Sequence, residues 1–279
     1  MNIDIIIPYM YRILATWLSL CLFASPILAA PQLLAIPSGT AQLGSRHGEA
    51  DEQPVRHVRV AAFRLSRTEV TNRDFEAFVR ATGHVTEAEK RGWGWVWTDR
   101  WRQVQGANWR HPQGPSSDLQ DRRDHPVVQV SWTDARAYCR WHGLRLPTDM
   151  EWEYAARGHD GRRYPWGHEA PRAGGIQRAN YGTDACCAPD AQDGYRLTAP
   201  VRQYPQGASP FGVLDMAGNV WEWVLDEAPN QTGTAPARHI IRGGGWGNNP
   251  YCLRAAYRHD NEPRASLDMV GFRCAADAP

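Results

Sequence analysis

Between Gly243 and Pro263 the chain reads GGGWGNNPYCLRAAYRHDNEP, and three of its side chains carry chemistry: Cys252, His259 and Glu262. A thiolate is a nucleophile and a soft-metal ligand, an imidazole exchanges protons near neutral pH, and a desolvated carboxyl acts as acid or base. These three are the candidate catalytic residues. Trp246, Asn248, Asn249, Tyr251 and Arg258 stand around them in sequence as candidate ligand-binding groups. Plain structural uses compete: an Asn pair makes turn hydrogen bonds, and Arg258 is expected to pair with a core carboxylate. A second candidate is GANWRHPQGPSS, in which Asn108, Trp109, Arg110 and His111 precede Ser116 and Ser117. Rings in such a loop suit a planar or peptidic ligand, with core filling as the competing use.

Three helices are expected to position these loops. Thr71 can cap one whose apolar positions Phe75, Phe78 and Val79 fall at helical spacing and which Gly83 closes. Another, from about Thr133 to Trp141, stacks Ala137, Tyr138 and Trp141 before Gly143. The third has a capping box, Thr148 with Glu151, after Pro147 and before Gly158. Ahead of them, VRHVRVAAFRLSRTEVT alternates apolar with polar residues as short strands do. The long Trp-, Arg-, Gly- and Pro-rich segment between the first two helices reads as a functional loop. After Gly158 short strands and turns dominate. With 13 Trp, 25 Gly and 20 Pro, large rings rather than long regular elements fill the interior. The expected class is α+β, one irregular domain with little regular secondary structure.

Composition excludes several functions. Net charge is +1 and no basic run is interleaved with aromatics, so nucleic acid is not an expected partner. No P-loop and no G-x-G-x-x-G occurs. Lys90 is the only lysine, and it sits in a polar TEAEKR run that reads as a solvated helix end, a poor place for Schiff-base chemistry.

At the start, Arg12 precedes an apolar run from Ile13 to Ser25, with a small-residue site at Ala29–Ala30. Residues 1–30 read as a cleaved secretory signal, more ordinary if translation starts at Met10, and residues 31–279 as the domain. The run is too short for a comfortable span, and Leu20 makes LSLC around Cys21 a weak lipoprotein box. The expectation is periplasmic, without a membrane anchor. Disulfides persist there; Cys139, Cys186, Cys187, Cys252 and Cys274 remain, an odd number, so not all can pair within the chain.

The segments RTEVTNRDFEAFV, GANWRHPQGP, HPVVQVSWTDARAYCRWHGLRLPTDMEWEYAARG, YPWG, TAPV, GVLDMAGNVWEW, RGGGWG and GFRCA resemble, in order, those of the formylglycine-generating enzyme or sulfatase-modifying factor family. The resemblance implies that family's single domain, related to C-type lectins, with structural calcium. One calcium set falls on Asp215, Gly218, Val220 and Glu222, where two carboxylates and two carbonyls offer the oxygen ligands calcium takes. The other falls on Asn180, Tyr181, Asp193 and Tyr195. The matching cysteine pair, Cys139 and Cys274, forms a disulfide in the family.

The family's oxidase binds one Cu(I) between two cysteines of its C-terminal loop. Cys252 matches the second; the first falls at Gly247 or Asn248, depending on a one-residue gap, and neither supplies a thiolate. Gly245 replaces a small polar residue as well. Copper and sulfatase-directed activity are therefore not expected. Members without the copper pair act in periplasmic maturation of the siderophore pyoverdine, oxidising its dihydro chromophore, and the chain resembles that branch. The expectation is an oxidative-maturation enzyme with a small peptidic or siderophore substrate. The alternatives are a formylglycine-generating oxidase acting on a sulfatase cysteine and a non-catalytic, lectin-like module that binds a ligand or partner.

Overall fold

The computed structural model describes residues 30–183, 187–229 and 237–279, so most of the expected signal, and Cys186, lie outside the described residues. The expected helices are present: α1 (Asn72–Thr82), α3 (Trp132–Trp141) and α4 (Asp149–Arg157), with a short α2 (Glu87–Arg91) in the run read as a helix end. All four begin with a reciprocal cap, Thr71 with Asp74, Thr86 with Glu89, Ser131 with Asp134 and Thr148 with Glu151. Each pair satisfies two amide groups that a helix start otherwise leaves bare. α3 starts at Trp132 because Ser131, not a residue inside the helix, is the cap. Gly83 ends α1 at φ 68°, a left-handed conformation that suits glycine.

The strands are β1 (Leu33–Ile36), β2 (Gly39–Leu43), β3 (Arg56–Val60), β4 (Phe63–Ser66), β5 (Trp93–Trp97), β6 (Trp101–Gln105), β7 (Arg172–Ala173), β8 (Ile176–Gln177), β9 (Trp221–Glu227), β10 (His239–Arg242), β11 (Arg258–Asn261), β12 (Val270–Phe272) and β13 (Ala275–Asp277). The segment expected to be an irregular loop instead contains the β5–β6 hairpin, with Trp93 opposite Gln105 and Trp97 opposite Trp101. Alternation in WGWVW puts its three Trp on one face. A four-stranded sheet in the order β11-β10-β9-β12 is antiparallel except for the parallel β9–β12 pair. A second sheet pairs both β1 and β13 with β4, joining the two ends of the domain.

Large rings fill the interior as composition implied: Trp109, Trp152, Trp223 and Trp246 are each nearly or wholly buried. Cys139 on α3 is bonded to Cys274 just before β13, with Cα atoms 5.6 Å apart. Two buried arginines organise the polar interior. Arg242 on β10 reaches Asp149 Oδ1 (2.5 Å) and Glu153 Oε2 (2.6 Å) on α4 and donates from Nη1 to the carbonyls of Ala255 and Tyr257. Arg273 grips Glu222 through two 2.6 Å bonds. Buried charges of this kind persist only when paired and fully hydrogen-bonded.

Candidate active site

The four-stranded sheet and the Trp hairpin enclose a cavity of about 470 Å³. Ile241 of β10, His259 and Asn261 of β11 and Val270 of β12 line it from the sheet. Trp95 and Trp101 form the hairpin wall, and Trp221 and Tyr257 stand among the remaining lining residues. The hairpin is docked by backbone bonds: Trp95 N donates to Ser266 O (2.8 Å) and Asp268 N donates to Trp95 O (3.1 Å). Trp97 N donates to the buried Asp268 carboxyl at 3.2 Å. Burial pushes that carboxyl up to about 8, against the opposing bonds from Trp97 and Gln113.

Four of the predicted residues meet on this cavity: Asn248, Cys252, His259 and Glu262. Asn248 is structural as well as lining, since its Oδ1 accepts from Trp221 Nε1 and from Gly245 N, both at 2.9 Å. The Trp221 ring so fixed lies 5.8 Å from His259 and 5.9 Å from Tyr257. His259 opens to solvent at the mouth while the cavity wall crowds its other side. That desolvation, opposed by Asp260 and aided by Arg238, lowers its pKa below the ordinary imidazole value, so the ring is a neutral base at neutral pH. Desolvation and contact with the Cys252 thiol push the Tyr257 phenol up, so it stays protonated. Tyr257 and His259 also border an adjoining groove of about 960 Å³ that carries Asp51, Asp226 and Asp260.

The other predicted ligand-binding residues do not line the cavity. Trp246 turns into the core and donates from Nε1 to Asp268 O (3.1 Å). Asn249 makes turn bonds to Tyr251 N and, through its carbonyl, to Cys252 N. Tyr251 is exposed and donates to Glu49 Oε1 at 2.8 Å. Arg258 pairs with Asp149 (3.0 Å) and Glu153 (3.2 Å), the core-carboxylate use anticipated for it. In the upstream loop Trp109 is a core ring set edge-on to Phe75 at 5.3 Å. Arg110 covers that ring at 4.2 Å and bonds Glu89, Asn108 accepts from Arg110 N, and His111 Nδ1 contacts Ser117 O. Core filling won there because ring area is best used where water is excluded.

Sequence reasoning missed Trp95, Trp101, Trp221, Tyr257 and Cys187 as lining residues. The WGWVW alternation is the signal that marks the first as a strand residue. Nothing local announces Cys187, which reaches the cavity from a separate loop. A Cβ added to Gly247 would stand 3.0 Å from Cys187 Cα and 2.9 Å from Met269 Cε. The position that a copper cysteine would occupy is thus filled by neighbours, and Asn248 is committed to Trp221. These two positions do not fit copper.

For calcium the two implied sets differ. In the second, Asn180 Nδ2 donates to Leu197 O (2.7 Å), leaving its buried Oδ1 without a hydrogen-bond partner among the described residues. Asp193 accepts from Tyr181 N and Tyr195 N at 2.9 Å, yet burial still holds its carboxyl above the usual range. An unmet amide oxygen beside a desolvated carboxylate fits a hard cation. In the first set Asp215 is pushed up to about 6 by burial, with Glu222 adding to the shift and the Arg202 amide and Arg273 opposing it. Both Glu222 oxygens accept hydrogen bonds, Oε1 from Arg273 Nη2 and Oε2 from Arg273 Nε and Trp152 Nε1.

The sequence matches the sulfatase-modifying factor enzyme 1-like domain over residues 22–278. It is 42% identical over 298 residues to the formylglycine-generating enzyme of Thermomonospora curvata, covering 91% of this chain and 96% of that protein. It is 37% identical to the bovine (Bos taurus) inactive Cα-formylglycine-generating enzyme 2, with 88% of each covered. Among solved structures, that of PvdO from Pseudomonas aeruginosa superposes with a TM-score of 0.68 at 29% identity, covering 89% of this chain and 95% of that one. No helix of the described residues is long and apolar enough to cross a membrane. With its mixed helices and sheets in a single domain, the chain belongs to the sulfatase-modifying factor family of formylglycine-generating enzymes and their relatives.

Proposed function

We propose that the chain is a periplasmic enzyme of oxidative maturation, of the pyoverdine-maturation type, whose substrate is a small peptide bearing a planar chromophore. The observation that carries this reading is the cavity of about 470 Å³ in which Trp95, Trp101, Trp221 and Tyr257 surround a slot with His259 at its mouth. Such walls suit a flat ring system. His259 is set to take a proton from an acidic hydroxyl of that ring, making the ring electron-rich enough to pass electrons to dioxygen. Glu262, also at the cavity, is the second proton-transfer group. The substrate loses two electrons and two protons, and dioxygen gains both as hydrogen peroxide. No second loop thiol enters this balance.

The likeness to PvdO and the expected secretory signal support the reading. The adjoining groove gives the peptide portion a path past His259. Calcium, in this reading, is structural. Purified protein should turn over the peptide-linked dihydro chromophore, with oxygen uptake and a shift in chromophore absorbance in parallel. Unchanged absorbance over many equivalents of enzyme would sink the proposal.

The 42% identity to a formylglycine-generating enzyme favours a second reading, oxidation of a sulfatase cysteine. Its obstacle is Gly247 and Asn248, neither of them a thiol. Protein loaded with Cu(I) and given a sulfatase-type cysteine peptide should leave that cysteine unchanged by mass.

A further inference from the structure

We propose that the cavity of about 410 Å³ beside the start of α1 binds an extended peptide segment that carries an acidic side chain. It shares no lining residue with the cavity that holds His259, so the two sites stand or fall separately. Three segments build its walls. α1 contributes Asn72, Arg73 and Glu76, and the tight turn closed by reciprocal Asn108–His111 backbone bonds contributes Trp109 and Arg110 at its tip. Leu119 and Arg123 come from the loop that follows. That loop is docked on α1 by Arg73 N, which donates to Arg123 O at 3.0 Å, and by Asn72 Nδ2, which donates to Arg122 O at 2.8 Å.

Two buried atoms of these walls, one donor and one acceptor, have no hydrogen-bond partner among the described residues. They are Nε1 of Trp109, a residue 1% exposed, and Oδ1 of Asn72, which is 4% exposed. Turning the Asn72 amide over does not help, because its other end faces the Arg122 carbonyl, which takes only a donor. Buried polar groups are nearly always paired, so a donor and an acceptor left over in one cavity point to a ligand with both functions. A peptide group has them, its C=O for the indole N–H and its N–H for the amide oxygen.

The rim sets the charge of that ligand. Among the lining residues three arginines face one carboxylate, Glu76. Each of these half-exposed arginines is held by an ion pair: Arg73 with Asp124 and Arg123 with Glu76, both at 2.8 Å, and Arg110 with Glu89 at 2.5 Å. Pairs so open to water contribute little, and their guanidinium groups can turn to a carboxylate of the ligand, with which they bond in a fork. Arg110, which closes over the Trp109 ring at 4.2 Å, is the part of the wall that turns aside.

Rival ligands meet only part of this pattern. A bare inorganic anion suits the arginines and the indole N–H, but the Asn72 oxygen repels it. An acidic sugar offers hydroxyls that donate and accept, yet it gains most by stacking on an open ring face, and Trp109, buried with Arg110 over it, has none. A buried water can pair with both bare atoms but draws nothing from the three arginines.

The test follows the indole N–H signals of the mature chain, labelled with ¹⁵N-tryptophan, while acetyl-Gly-Glu-Gly-amide is added; the blocked ends mimic an internal segment. Trp109→Phe identifies the Trp109 signal, and Arg110→Gln, which changes the cover of that ring, identifies it should the Phe variant not fold. The Trp109 signal should move downfield and saturate, as a new hydrogen bond requires, while the indoles of the His259 cavity stay in place. Acetyl-Gly-Gln-Gly-amide should bind about tenfold more weakly or worse, and so should the acidic peptide to Arg123→Gln, a change at an exposed residue, because each lacks a charge-assisted bond. No selective movement of the Trp109 signal overturns the proposal. Equal binding of the glutamine peptide, of sulfate or of glucuronate overturns it as well, as does undiminished binding to Arg123→Gln.

Discussion

Gly247 lies against Cys187: a Cβ placed on the glycine would come within 3.0 Å of the Cys187 Cα, a contact with backbone that cannot swing aside. The Gly247 backbone is therefore packed directly against the Cys187 segment. Cys187 lines the same cavity as Cys252, so the two cysteine sulfurs that the described residues bring to it come from different loops.

Restoring the apparent missing thiol should consequently do harm. Gly247→Cys should destabilise the fold by about 1–3 kcal/mol, the usual range for overpacking. It should also bind Cu(I) no more tightly than wild type in a chelator competition. A variant that melts like wild type and gains a stoichiometric copper site would show that the loop can still open.

Cutting the Cys139–Cys274 bond should be expensive for a different reason. The bridge spans 135 residues and ties α3 to the final strand. Loop-closure entropy puts its contribution at about 5 kcal/mol. Cys139→Ala with Cys274→Ala should show a correspondingly lower denaturation midpoint in urea, and a midpoint within experimental error of wild type would contradict it.

How much of this was legible in the chain depended on the range of the interaction. Thr71, Thr148 and Gly83 announce helix ends because a cap is decided within four residues, and the helices begin and end where those residues put them. Cys252, His259 and Glu262 were likewise findable by chemical type, and they do share a cavity. Trp246 and Trp109, candidates for ligand binding, both turn into the core, because a ring's destination depends on packing between distant segments. Trp246 reaches Asp268, and Trp109 packs on α1. For the same reason Trp95 entered the site unannounced: its position depends on backbone bonds to residues 266 and 268, far along the chain.

Asp268 gives the hairpin dock a pH dependence. Its carboxyl titrates near 3.9 in an unfolded chain and is pushed up to about 8 by burial in the fold. Between those values the folded state holds a proton that the unfolded state has released, so stability falls as pH rises through the window. Asp268→Asn, which still accepts from Trp97 N, should flatten the decline. Melting curves of the two proteins from pH 5 to 8.5 should diverge toward the alkaline end, with the variant higher; parallel curves would mean that Asp268 is already ionised.

His259 should govern activity on the acid side. A base must be unprotonated to work, and desolvation lowers this imidazole's pKa below the ordinary value of about 6.5. The rate plateau should therefore extend below pH 6.5 before kcat/KM falls. Asp260 pulls the pKa up and Arg238 pushes it down, and the two are bonded to each other. Asp260→Asn removes the first and unmasks the second, so the acid limb should move to still lower pH. His259→Gln should lower turnover by roughly 10²-fold or more, the usual worth of a positioned base, and should abolish the limb. If the limb stays in place in His259→Gln, another group takes the proton and the assignment of His259 as base fails, whatever the size of the rate loss.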